Sequence, residues 1–96
     1  MTNLTCDDIR QNMQTGATLL DVRTSDEFQR DALPHAENIP LAILPLLAVE
    51  RLDKDDQVLV YCQAGARAVM AEKILAGLGF TNVINIGGVQ HYQHCH

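Results

Sequence analysis

The stretch Val58-Leu-Val-Tyr61 is apolar or aromatic at every position, without the polar alternation of a strand that has one wet face. Such a run fits a strand buried on both sides, as in a parallel sheet, and therefore demands helices on both faces of whatever sheet it joins. The residues that follow supply one of them. From Ala66 to Leu78, the positions Met70, Ala71, Ile74, Leu75 and Leu78 form one apolar stripe with Glu72 and Lys73 off it, and Gly77 and Gly79 provide the stop. "NVINIGG" then reads as a second strand running into a glycine turn. Strand, helix and strand at this spacing make a right-handed βαβ unit with parallel strands, so the expected class is α/β, a central mostly parallel sheet flanked by helices.

The rest of the chain fits that frame. Thr5 and Asp8 have the form of a capping box before Ile9 and Met13, predicting a helix from Cys6 to Thr15 that closes at Gly16. "ATLLDV", Ala17 to Val22, reads as a strand that brings Asp21 and Arg23 to its end, and Thr24 or Ser25 then caps a short acidic helical turn. "LPHAENIP" is loop with a brief extended piece, and Leu41 to Leu52 is a helix whose start is disturbed by Pro45. With no repeat or linker, the 96 residues are expected to form one domain spanning 1–96, a size that buries roughly two thirds of the unfolded chain's surface.

Charge and composition exclude several classes. The net charge is -5 and the seven Lys and Arg are scattered, so no nucleic acid partner is expected. The longest apolar stretch, Ile39 to Val49, is too short to span a bilayer and contains Pro40 and Pro45. "MTNLTCDDIRQNM" lacks the layout of a secretory signal, and the expectation is a soluble, cytoplasmic protein with no membrane association. The three cysteines, Cys6, Cys62 and Cys95, are odd in number and widely separated, suggesting neither a disulfide framework nor a zinc site. Cys6 is read as a packing residue and His35 as an exposed loop histidine. The terminal group of His91, His94, Cys95 and His96 is read as incidental, so no metal and no cofactor are expected.

Cys62 is different because of where it stands. In an open parallel sheet ligands bind beyond the carboxyl ends of the strands, where loops lead into helix N-termini, and Cys62 is at that junction. The turn that follows, "QAGA" from Gln63 to Ala66, is nearly free of bulk and leads to Arg67. Its N–H groups can converge on an anion in line with the positive end of the helix, an environment that favours a nucleophilic thiolate. A free cysteine is commonly just a small buried hydrophobe. The small-residue loop turns the reading toward a reagent.

Two families place a cysteine, a loop and an arginine between a strand and a helix. Cysteine phosphatases have a longer loop, whereas here only four residues separate Cys62 from Arg67. The chain resembles the rhodanese-like sulfurtransferases along nearly its full length, in "LLDVRTSDEF" (Leu19 to Phe28), "ENIP" (Glu37 to Pro40), "VYCQAGARA" (Val60 to Ala68), "LGFTNV" (Leu78 to Val83) and "GGV" (Gly87 to Val89). It departs from them at Asp31 to Ala36, where many relatives have Gly-His-Ile-Pro-Gly-Ala, and at Tyr92, where tryptophan is frequent.

The resemblance implies a rhodanese-like three-layer sandwich and a thiosulfate sulfurtransferase with Cys62 as catalytic nucleophile and persulfide carrier. It implies a persulfide-binding loop of Gln63, Ala64, Gly65, Ala66 and Arg67, a small-molecule sulfur donor, and a thiol or protein acceptor. Arg67 reads first as pairing with Asp21 or Glu27 to hold the loop and second as a donor contact, and Asp21 and Arg23 read as supporting scaffold residues. A non-catalytic binding or signalling module, and a cysteine phosphatase or arsenate reductase, stand as alternatives. The oligomeric state, monomer or weak dimer, is left open.

Overall fold

The computed structural model describes residues 4–95. Its strands β1 (Thr18–Asp21), β2 (Glu37–Asn38), β3 (Val58–Cys62) and β4 (Val83–Gly88) pair in the order β2-β1-β3-β4, every pairing parallel. All five residues of β3 are buried, and its side chains alternate between two cores. Val58, Val60 and Cys62 join Leu20, Val22, Leu44, Ala48, Ala71, Leu75 and Phe80 on one face; Leu59 and Tyr61 join Ile9, Leu19, Leu33, Ile86, Val89 and Tyr92 on the other. The unbroken apolar run is thus the sum of two interleaved half-patterns, each facing its own layer.

Helix α1 (Cys6–Gln14) starts at the expected capping box, in which Thr5 Oγ1 accepts from Asp8 N and Asp8 Oδ2 accepts from Thr5 N, both at 3.0 Å. Helix α2 (Ser25–Asp31) repeats the device with Thr24 and Glu27. Pro45 does not break the segment after β2. A 3-10 turn at Leu41–Ile43 leads into α3 (Leu44–Arg51), where the proline occupies the first turn and its missing N–H is not needed.

Helix α4 (Ala66–Gly77) corrects one expectation. Its buried line is Ala68, Ala71 and Leu75, whereas Met70 is 50% exposed. The two alanines let the helix lie close to β3, and that close line rotates Met70 out to solvent.

The cysteines give a second correction. Cys6 and Cys95 are joined as a disulfide with Cα atoms 5.4 Å apart across 89 residues of sequence. Cys6 is therefore not merely packing and Cys95 is not incidental; Cys62 is the free cysteine. What brings the ends together is the 3-10 turn Val89–Tyr92, where buried Tyr92 donates its hydroxyl to Ile86 O at 2.8 Å and accepts from Leu4 N at 3.3 Å. Spacing in the sequence carries no trace of that. His91 and His94 are exposed near this turn, and His96 lies outside the described residues. Among the described residues no helix is long and apolar enough to cross a membrane.

A crosslink over so long a loop contributes about 2–4 kcal/mol, which at about 4–8 °C per kcal/mol means that reduction lowers the melting temperature by roughly 8–32 °C. Thermal melts with and without a phosphine reductant measure it, and an unchanged transition would remove the disulfide from the fold's support.

Candidate active site

Cys62 ends β3, and the chain reverses at once into α4 through Gly65, whose φ of 107° lies in the left-handed region that glycine tolerates. The reversal aims backbone N–H groups at the sulfur. Gly65 N donates to Cys62 Sγ at 3.0 Å and Ala68 N, in the first turn of α4, donates at 3.4 Å. Both belong to the positive end of the helix, where N–H groups have no helical partner, so the site is built to hold negative charge at sulfur.

The loop is confined from behind. A Cβ on Gly88, at the end of β4, would stand 2.5 Å from Gln63 O and 3.2 Å from Ala64 Cα, so only glycine lets β4 approach the loop this closely. Ala64 and Ala66 are exposed, Gly65 is buried, and Gln63 and Arg67 are half-buried. Cys62 itself is 1% exposed.

Beneath the loop lies a fully buried cation. Arg23 binds Asp21 through Nε at 3.1 Å to each carboxylate oxygen and through its terminal nitrogen at 2.8 Å, while its backbone N–H donates to Asp21 Oδ1 at 2.8 Å. Its other terminal nitrogen reaches Asp31 Oδ1 at 2.7 Å and Gln63 Oε1 at 3.0 Å. The guanidinium carbon lies 5.7 Å from the centre of the Tyr61 ring. Burial disfavours the charge, but the hydrogen bonds it donates to Asp21 and Asp31 outweigh that and hold the guanidinium above its usual range. Burial also pushes the Tyr61 phenol up, and its oxygen accepts from Leu33 N at 3.0 Å.

Asp21 and Arg23 thus meet as a buried pair, and Gln63 is tied to them by its side chain. Sequence reasoning missed Asp31, Tyr61 and Asn38 as parts of this network. Asn38, inside "ENIP", donates to Asp21 O at 3.0 Å and Arg23 O at 2.9 Å, fixing the turn after β1. Asp31 follows Arg23 at the far end of α2, a spacing that no local rule singles out.

Arg67 pairs with Glu27, not Asp21. Its two terminal nitrogens meet the two carboxylate oxygens at 2.7 and 2.9 Å, a bidentate clamp from α4 to α2. The hydrogen bond to Glu27 raises the guanidinium further above its range, and the same bond holds the Glu27 carboxyl at about 2. Because the folded value lies below that of the unfolded chain, about 4.3, the clamp stabilises fully above pH 4.3 and is lost as pH falls toward 2. The melting temperature of Glu27→Gln therefore lies below that of the parent at neutral pH, and the gap closes between about pH 5 and 2. A gap independent of pH would dissociate the clamp from stability.

Cys6, His94 and Cys95 form a separate group with ligand atoms within 4.8 Å of one another, and Cys95 packs against the core on the sheet face opposite Cys62.

Comparison with known proteins bears on this arrangement. The thiosulfate sulfurtransferase PspE of Escherichia coli is 39% identical over 72 residues, covering 74% of this chain and 69% of its own. Thiosulfate sulfurtransferase 18 of Arabidopsis thaliana is 37% identical over 89 residues, covering 79% of this chain and 65% of its own. The chain thus spans about two thirds of the length of these relatives. Among solved structures, a rhodanese with anions from E. coli has a TM-score of 0.73 at 36% identity, covering 79% of this chain and 91% of its own. A rhodanese-related protein from Thermoplasma volcanium has a TM-score of 0.79 at 27% identity, covering 98% and 92%. The family model described as Rhodanese-like domain matches residues 5–95, and with these relatives it places the chain in the rhodanese-like domain family.

Proposed function

We propose that this rhodanese-type sulfurtransferase carries sulfur as a persulfide on Cys62, with thiosulfate or a small persulfide as donor. The Cys62 thiolate attacks the outer sulfur of thiosulfate. The donor's S–S bond breaks, sulfite leaves with the bonding pair, and the terminal sulfur of the new persulfide carries the negative charge. An acceptor, cyanide in an assay and a thiol or protein thiol in the cell, takes that sulfur and restores the thiolate.

The observation that carries the reading is the pair of amides, Gly65 N and Ala68 N, at 3.0 and 3.4 Å from Cys62 Sγ. Donors fixed in advance around the point where charge collects act as an oxyanion hole does, with no reorganisation at the moment of transfer. We assign Gln63 to Arg67 as the loop that holds the persulfide, and Asp21 and Arg23 as its positioning residues. A sulfur this buried suits a donor that offers one projecting atom rather than a tetrahedral phosphate. Arg67 is neutralised by Glu27 and Arg23 by Asp21 and Asp31, so attraction for a dianion is weak and a persulfide donor is as well served as thiosulfate. We also propose a cytoplasmic location, where a reducing thiol pool keeps Cys62 reduced and exposes the Cys6–Cys95 pair to reduction.

Incubation with thiosulfate is expected to add one sulfur mass, mapped to Cys62, and to support thiocyanate formation from cyanide; Cys62→Ser loses both. An intact Cys62 that takes sulfur from neither thiosulfate nor a persulfide sinks the proposal, and hydrolysis of an aryl phosphate at that thiol would point to phosphoryl chemistry instead. Gly88→Ala, which drives the end of β4 against Gln63, is expected to slow sulfur transfer by on the order of tenfold or more while the chain stays folded. A full rate in that variant would free the loop from the constraint assigned to Gly88.

A further inference from the structure

The Cys6–Cys95 pair is more than a crosslink. A ring nitrogen of His94 and the two sulfurs all lie within 4.8 Å of one another. Two thiolates at about 2.3 Å and an imidazole at about 2.0 Å from one tetrahedral ion stand roughly 3.5–3.8 Å apart. Small side-chain rotations therefore complete the set once the S–S bond is open. The donor set is two soft sulfurs and one imidazole, which suits a thiophilic ion and excludes hard cations such as magnesium or calcium.

The surroundings fit such an ion. Cys6 opens the first turn of α1, whose positive end favours anionic sulfur, and Arg10 borders the same cavity of about 250 Å³ as both cysteines. Met13 and His35 line that cavity too, so open space adjoins both cysteines. The cysteines are half-buried and His94 is exposed, leaving an entry path from solvent.

We propose that the reduced Cys6–Cys95 pair, together with His94, binds a thiophilic cation of the zinc class, and that oxidation to the disulfide expels it. A low-molecular-weight disulfide takes the two electrons. One cysteine thiolate attacks it and displaces a thiol, the second thiolate displaces the other thiol as the protein S–S bond forms, and two protons are taken up by the leaving thiolates as the ion departs. Crosslink and metal are then alternative ways of holding α1 to the end of the chain, selected by redox state.

The test uses the full chain carrying Cys62→Ser, so that no other thiol competes, reduced with a phosphine and freed of metal. Titrated with Zn²⁺ against a chromophoric chelator, it is expected to take up one ion per chain, and with Co²⁺ to show thiolate-to-metal charge-transfer absorption. Glutathione disulfide should release the ion. His94→Ala, a substitution at an exposed position that leaves folding intact, should weaken binding by on the order of tenfold or more, whereas His91→Ala should not. The proposal is overturned by a reduced chain that takes up no ion, by an oxidised chain that binds as tightly, or by His94→Ala binding like its parent.

Discussion

The buried charge of Arg23 is the constraint around which the site is assembled. A guanidinium with no exposed surface is tolerable only when its donors are met, and here Asp21, Asp31 and Gln63 meet them from β1, α2 and the Cys62 loop. Removing one partner of such a pair costs about 3–5 kcal/mol because the other is left charged and unpaired. The network therefore fixes where β1 ends and where α2 lies. Through Gln63 it also fixes where the loop after β3 sits. The arginine acts on the sulfur by position rather than by contact.

Neutralisation of both arginines shapes the electrostatics of the loop. Arg67 and Arg23 would each be natural anion binders, yet each is committed to carboxylates. The hydrogen bonds to Cys62 Sγ come from the backbone instead: Gly65 N and Ala68 N, with the aligned peptides of α4 behind them. Partial charges of this kind are short in range and fixed in direction. They stabilise an anionic sulfur at one point without drawing every anion in solution to it.

This division explains what could be read from the chain. The βαβ core was legible because the run in β3 and the stripe of α4 are local patterns, and both capping boxes lie within a few residues. The junction cysteine was legible for the same reason, as the loop from Gln63 to Arg67 is contiguous. Met70 was misread because helical periodicity gives the stripe but not which edge of it the sheet covers; the alanines at 68 and 71 decided that. The roles of Asp31 and Asn38 depend on where separate elements come to rest, and so does the choice of Glu27 over Asp21 as the partner of Arg67. The Cys6–Cys95 pair depends on the placement of both ends of the chain, which Tyr92 sets by its two hydrogen bonds.

The separation of the cysteines has a chemical consequence. A persulfide on Cys62 is electrophilic at its inner sulfur, and a neighbouring thiol would resolve it to a disulfide before an acceptor arrived. Cys62 faces the core beneath α3 and α4, whereas Cys95 packs on the opposite side of β3 with Ile9 and Tyr92. A layer of paired strands stands between them, and the alternation of side chains along β3 enforces it: Tyr61 and Cys62 are adjacent in sequence but point to different layers. The same period of two that makes β3 a buried strand thus shields the Cys62 sulfur from the chain's other cysteines, so the redox change proposed for Cys6 and Cys95 would proceed on one face and the sulfur transfer proposed for Cys62 on the other.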